Sequence, residues 1–567
     1  MAAIPRESRD YSAPAIFDRT LDLSRINLEV VAFVGLVLVS IIAHLWSLGH
    51  MALHHDESIH AWSSWRFYTG AGSFTCAGGR TAPTYCYDPI YHGPSLYSLT
   101  LLSYLLFGAG DAQARLPEAV TGILLVASAW MLRPYFGRRG AFIAGVLLAF
   151  APSLLYYTRF ARHDGLMILW EFWMVVGFFR WLDTGRARYL YLLAAGAALA
   201  MATHELYYIL FFLFGSFVLI RVLAELLPRR KLTIGMVALL AVAVVIMFAN
   251  PPLTEKLRAG GLALLVATVV GLGLLLMRVW DETPILTARA LVLWRHQRGA
   301  LWTALGILAT IFVLLYSTYF ADPRGILDGL YQGIAYWLGS QHEFARGDEP
   351  WYYYLILMPI YEPIALFASI GAAIYLFTRR PTTDERRPTT DGATTSGEGR
   401  TTIIPDTLET VVTEENGAPD TTALATPADM AEANGAETIV AEAHTLTSAP
   451  AHPFTPSLFT LFLAFWFIGA FVAFSWAGEK MPWLVTHIAL PGNLLAAWAI
   501  GRMLDFGFSP SDSGSQNKIQ NLTSKMLLLP PAVVLMLIFL GVAMWRLFNT
   551  GEGLEGQADL LQGLIPL

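Results

Sequence analysis

Residues 53–62 read LHHDESIHAW and place His54, His55, Asp56, Glu57 and His60 within one short stretch. Four further clusters follow along the chain. YHGPS carries His92. YYTRFARHDG carries Arg159, Arg162, His163 and Asp164, and THELYY carries His204 and Glu205. SWAGEKMPWLVTH carries Glu479, Lys480 and His487. A fifth polar stretch, QHEFARGDEPWYYY, is followed by YEP. These residue types have defined uses. A carboxylate takes a proton from an attacking hydroxyl. Arg and Lys stabilise negative charge developing on a phosphate. His combined with carboxylate suits Zn²⁺, while oxygen-only sets suit Mg²⁺ or Mn²⁺.

The clusters are set in a very apolar chain. Of 567 residues, 55% are hydrophobic and 14% charged, a balance that fits a polytopic membrane protein rather than a soluble domain. The net charge of −6 carries no basic excess of the kind nucleic acid requires. Apolar runs long enough to span begin near 27, 117, 138, 163, 188, 205, 232, 260, 300, 353, 456, 483 and 526. That gives about 13 transmembrane helices. The run LYSLTLLSYLLF at 96–107 reaches only about 18 Å as a helix, short of the roughly 30 Å apolar core, and reads as an interfacial helix.

Charge then chooses the sides. With the N-terminus inside, the inner segments hold 25 Lys and Arg and the outer ones 10, with Arg221 and Arg546 inside spans. Cytoplasmic loops are expected to be the basic ones. Counting 96–107 as a span would invert every later basic loop. All the polar clusters therefore fall on the outer face. So do Cys76 and Cys86, for which a disulfide is plausible on that side. Glu171, in LMILWEFWM, sits about two turns inside its span, where an ionisable group is a functional candidate. Arg221 and Glu225 read as a local i,i+4 ion pair.

The expected organisation is a cytoplasmic segment at 1–26, a transmembrane module at 27–378 with its first outer loop at 50–116, a linker at 379–455, and a three-helix module at 456–567. The linker is rich in Thr, Ala, Glu, Asp and Pro, repeats RRPTTDE as RRPTTDG, and reads as disordered.

The motifs HHDE, HGP, ARLPEA, FGRRGA and APSLLYYTRFARHD keep their order over about 50–185. In this the chain resembles the GT-C glycosyltransferases, among them the protein O-mannosyltransferases and the aminoarabinose transferase of lipid A. With THELYY and GEKMPWL it is most similar to a bacterial and archaeal branch named for flippase-associated proteins of surface-glycan loci. The resemblance implies an all-α GT-C fold at the plasma membrane, with the site and the C-terminus outside. It implies a polyprenyl-phosphate sugar as donor and a glycan, lipid or protein hydroxyl as acceptor. Asp56 would be general base of an inverting transfer, with Glu57 beside it, and Asp164 would position the acceptor or a metal.

Arg159, Arg162 and Lys480 are the candidates to face the leaving phosphate. His92, Glu479 and His487 are further site candidates. His54, Asp56, His163, Asp164, His204 and Glu205 could converge on a divalent Zn, Mn or Mg ion. The alternative to a metal is His hydrogen bonding across the interface. Two other readings stay open: a flippase or transporter component for lipid-linked glycans, and an inactive GT-C scaffold. Transporters expect broken helices and polar groups at mid-membrane, and most spans here are clean.

Overall fold

A computed structural model describes residues 27–248, 253–279, 284–339, 350–378, 457–477 and 480–507. The 1–26 segment, the 379–455 linker, the run near 526 and Glu479 lie outside the described residues.

The chain is built almost wholly of helices. The first, α1 (Leu28–Leu45), leads into α2 (His55–Thr69). A small antiparallel hairpin follows, β1 (Phe74–Cys76) paired with β2 (Arg80–Ala82). Then come α3 (Ser95–Phe107), α4 (Asp111–Ser128), α5 (Arg133–Phe150), α6 (Pro152–Tyr157), α7 (His163–Thr184), α8 (Ala187–Met201) and α9 (Tyr207–Leu226). The series continues through α10 (Arg229–Phe248), α11 (Leu253–Leu276), α12 (Ile285–His296), α13 (Arg298–Tyr316), α14 (Gly325–Gly339), α15 (Tyr353–Tyr361) and α16 (Pro363–Thr378). The last two described helices are α17 (Leu458–Trp476) and α18 (Val485–Gly507).

Seven described stretches are long and apolar enough to cross a membrane, or eight when α15 and α16, bent by 109° at Glu362, form one span. The thirteen expected include the run near 526, outside the described residues, so the two counts cover different lengths of chain. The two spans expected from 117 and 138 fall within one helical run, Asp111–Phe150. That stretch is interrupted at Gly137, whose φ of 72° breaks the helix inside the FGRRGA motif; only glycine takes that conformation without steric cost. The run expected from 188 becomes α8, with 15 residues. The helix at 95–107 has 13 residues, too short to span.

At the centre is α7, buried along most of its length. Small residues let its neighbours approach. A Cβ on Gly177 would lie 2.8 Å from the Leu193 nitrogen, and one on Gly196 would lie 2.8 Å from the Met174 nitrogen. The backbones of α7 and α8 thus meet through reciprocal glycines, the packing device favoured between apolar helices. Gly140 of α5 and Gly501 of α18 do the same: a Cβ on Gly501 would come within 2.5 Å of the Gly140 Cα. Residues of α17 and α18 share one apolar core with α5 and α7, so these two helices belong to the same bundle as the helices before the linker.

Above this bundle sits the loop between α1 and α4. Cys76 and Cys86 are disulfide-bonded in it. Arg80 reaches from β2 to Asp322 at 2.9 Å and Asp328 at 3.0 Å, fixing the hairpin to the start of α14.

Candidate active site

The HHDES stretch starts a helix. His54 is the N-cap of α2: its ring accepts from the Asp56 N–H, while the Glu57 side chain accepts from the His54 N–H at 2.8 Å. This reciprocal arrangement is a capping box. Acids in the first turn also oppose the positive end of the helix dipole. Capping therefore accounts for His54 at the start of α2.

Glu57 is a brace rather than a reacting group. It is 1% exposed. Arg115 of α4 reaches it at 2.7 and 2.6 Å, and the Ala161 N–H donates to it at 2.8 Å. Arg115 also donates to the Leu48, Met51 and Ala52 carbonyls. With every acceptor direction of its carboxylate taken, Glu57 has no lone pair to offer a substrate. It ties α2, α4 and the turn before α7 together.

Asp56 faces differently. It pairs with Arg162, and its side chain keeps 24% exposure. Arg162 also holds Asp164 at 3.1 Å, and its guanidinium lies 3.7 Å over the Trp483 ring. The other oxygen of Asp164 meets His487 Nε2 at 3.3 Å, and His487 Nδ1 meets Glu171 at 2.7 Å. A continuous polar chain, Asp56–Arg162–Asp164–His487–Glu171, thus runs from the solvent-open end of α2 into the bundle. It draws on α2, α7, α18 and the turn before α7. Asp164, His487 and Glu171 are all buried, and paired burial of this kind is how a chain keeps ionisable groups at depth.

The six expected metal ligands do not converge. Asp56 and Asp164 are bridged by Arg162, so a cation already occupies the place between them. His163 turns away from its neighbour Asp164. Its Nε2 contacts the Gly93 carbonyl at 3.2 Å, and its ring packs between His60 and His92. His204 and Glu205 cluster instead with His92. Arg159 does not join Arg162; it donates to the Trp46 carbonyl just past α1. Lys480 is buried and donates to the Ala477 carbonyl at 2.9 Å.

Two features were not singled out from the sequence as parts of the site. Glu362, at the α15–α16 bend, accepts from Ser153 and from Asn493 at 3.1 Å. A cavity of about 210 Å³ opens beside α2, lined by Trp62, Arg66, Phe74, Tyr85, Asp88 and Tyr97 among others. Burial raises the Asp88 carboxyl above its ordinary range. For the same reason the His60 ring, in the same loop, sits well below its ordinary value. The nearby charges of Arg162 and His92 push it the same way.

Residues 91–248 match the family model described as dolichyl-phosphate-mannose-protein mannosyltransferase. The matched stretch is under a third of the chain, and over it the protein is similar to that family. No curated protein is similar enough in sequence to match. Among solved structures, the chain is similar to the Archaeoglobus fulgidus oligosaccharyltransferase tethered to an acceptor peptide (12% identity, TM-score 0.40). That likeness covers 90% of this chain and spans only 55% of the archaeal one. It is also similar to ArnT from Cupriavidus metallidurans bound to undecaprenyl phosphate (18% identity, TM-score 0.29), over 83% of this chain and 78% of that one. At these scores neither likeness carries an argument. The matched segment contains Arg162, Asp164, Glu171 and the α7–α8 pair; Asp56 and His487 lie outside it.

Proposed function

We propose that the protein is a membrane glycosyltransferase that moves a sugar from a polyprenyl-phosphate donor to an acceptor hydroxyl, on the extracytoplasmic face of the plasma membrane. The observation that carries this reading is the Asp56–Arg162–Asp164–His487–Glu171 chain, which sets an open carboxylate beside an arginine at one end of the bundle.

The chemistry follows from those positions. Asp56 takes the proton of the acceptor hydroxyl as its oxygen attacks the anomeric carbon. The bond from that carbon to the phosphate oxygen breaks, and polyprenyl phosphate leaves with the bonding electrons. A single displacement inverts the anomeric centre. Arg162 lies where it can exchange its Asp56 contact for the phosphate, whose negative charge grows in the transition state. Asp164 and His487 hold Arg162 in place from the buried side. The aromatic-lined cavity along α2 offers a face on which a sugar ring packs, with Arg66 and Asp88 for its hydroxyls.

The test is transfer from a panel of polyprenyl-phosphate sugars by the purified protein in detergent. Asp56→Asn should lower the rate by about 10²–10⁴-fold, the usual worth of a general base. Undiminished transfer by that variant would remove Asp56 from the mechanism. Absence of transfer from every donor, with labelled lipid crossing liposomes instead, would favour a flippase.

A further inference from the structure

We propose that His92, His204 and Glu205 form a zinc-class metal site, separate from the Asp56–Asp164 pair. It clamps the first outer loop to the turn between α8 and α9.

Both segments are already pinned at this point. The Gly93 N–H donates to the Thr203 carbonyl at 3.0 Å and the Ser95 N–H to the Ala202 carbonyl at 2.8 Å. The Ser95 and Thr203 hydroxyls meet at 2.6 Å. The strands of chain are so close that a Cβ on Gly93 would fall 2.2 Å from the Ala202 oxygen. His92, one residue before that contact, has φ 66° and ψ −167°. That region is essentially reserved for glycine, so any other residue persists there only where surroundings over-determine it. Hydrogen bonding alone is a weak reason to hold an imidazole there. Ligation to a metal is a strong one.

The donor set fits. His92, His204 and Glu205 are buried, and their ligand atoms lie within 4.8 Å of one another. The same Glu205 oxygen faces Nδ1 of His92 at 2.8 Å and Nδ1 of His204 at 3.8 Å. A tetrahedral zinc with bonds near 2.1 Å holds its ligand atoms about 3.4 Å apart, close to the separations here; the His92 and His204 rings now stack at 4.0 Å and 23°, so one imidazole must rotate to turn its lone pair toward the ion. On His204 the ion takes the lone pair that now accepts from the Leu206 N–H at 3.2 Å. Two imidazoles and one carboxylate select zinc over magnesium, which prefers oxygen. The outer shell is also present: the Tyr87 hydroxyl donates to the second Glu205 oxygen at 3.0 Å, the support a ligating carboxylate needs. The other described His/Cys/acid group, Cys76, Cys86 and Asp322, has its sulfurs committed to the disulfide.

The proposal does not rest on the transfer reading, and its test needs no donor sugar. The full chain, purified in detergent, is stripped with EDTA and reloaded with zinc chloride or magnesium chloride. Bound metal is read by mass spectrometry and stability by thermal shift. The expected result is about one zinc per chain with a raised Tm, and neither effect with magnesium. His92→Ala and Glu205→Gln should lose the zinc, while Asp56→Asn and Asp164→Asn should keep it. Tyr87→Phe leaves all three ligands and should weaken zinc affinity by about 10–100-fold, which guards against a ligand variant that simply misfolds. A wild-type chain that takes up no stoichiometric zinc would overturn the proposal. So would zinc lost in Asp164→Asn but retained in His92→Ala.

Discussion

Arg162 holds two carboxylates at once while its plane covers Trp483. That combination needs a flat, forked cation. Lysine offers one compact ammonium, so it cannot reach Asp56 and Asp164 together or stack on the indole. Arg162→Lys should therefore lower kcat about 10²–10³-fold, the usual cost of losing a preorganised donor to developing charge. A variant with wild-type kcat would show that Arg162 is only structural. His60 makes a second residue-scale prediction. It meets the Tyr97 hydroxyl at 2.8 Å, and it is faced by His163, His92 and Arg162. Its folded value lies below its unfolded one. The stability it contributes is therefore complete above about pH 6.5 and declines as pH falls, by at most about 1.4 kcal/mol per pH unit. Between pH 7.5 and 5, the wild-type Tm should drop more than that of His60→Gln; equal drops would show that His60 does not drive the acid loss. The resemblance singled out Asp56 and Asp164, and residue types added Arg162 and His487 as candidates. Residue types alone did not separate Asp56 from Glu57. Which neighbouring acid meets an arginine from another helix depends on the packing of α2 against α4, which no local spacing encodes.

At the scale of elements, the position of α2 rests on the Glu57–Arg115 pair. Removing one partner of a buried pair leaves an uncompensated charge and costs about 3–5 kcal/mol. Arg115→Ala should accordingly lower the Tm of the solubilised protein by several degrees and loosen α2. Glu57→Gln keeps one acceptor for Arg115 Nε and the Ala161 N–H but turns an NH2 toward Arg115 Nη2 and the His54 N–H and leaves the Arg115 charge unpaired, so it should lower the Tm as well. If Arg115→Ala melted like wild type, the brace would not hold the loop. The reciprocal glycines of α7 and α8 make the same kind of claim. Gly196→Leu forces a side chain into the Met174 backbone and should reduce folded yield on size-exclusion chromatography, while Gly215→Leu, whose Cβ meets open space, should not. Helix positions were largely legible from apolar runs. Helix breaks were less so: the interruption at Gly137 depends on one residue's backbone and does not disturb the hydrophobic pattern, while the bend at Glu362 falls at the residue before Pro363, where helix is disfavoured.

For the whole molecule, the decisive contact joins helices from the two sides of the linker. His487, on α18, is hydrogen-bonded to Asp164 and Glu171 of α7, and α18 lies backbone to backbone with α5 through Gly140 and Gly501. The sequence reading divided 27–378 from 456–567 at the polar linker, since composition changes there while through-space packing leaves no mark on composition. The physical unit is set by packing, so the polar chain is incomplete until α18 is seated. If the gene is split within 379–455 and the halves are expressed alone, the N-terminal half should extract poorly from membranes, because the faces that α17 and α18 cover are apolar and buried. Co-expression should restore a complex in which a tag on 456–567 recovers 1–378 in near-equal amount. Gly501→Leu in the smaller half should weaken that recovery, since its side chain would collide with α5. A 1–378 half that is monodisperse and stable by itself would mean that α18 only decorates a finished bundle, and His487 would then lose its place in the polar chain that carries the proposed transfer.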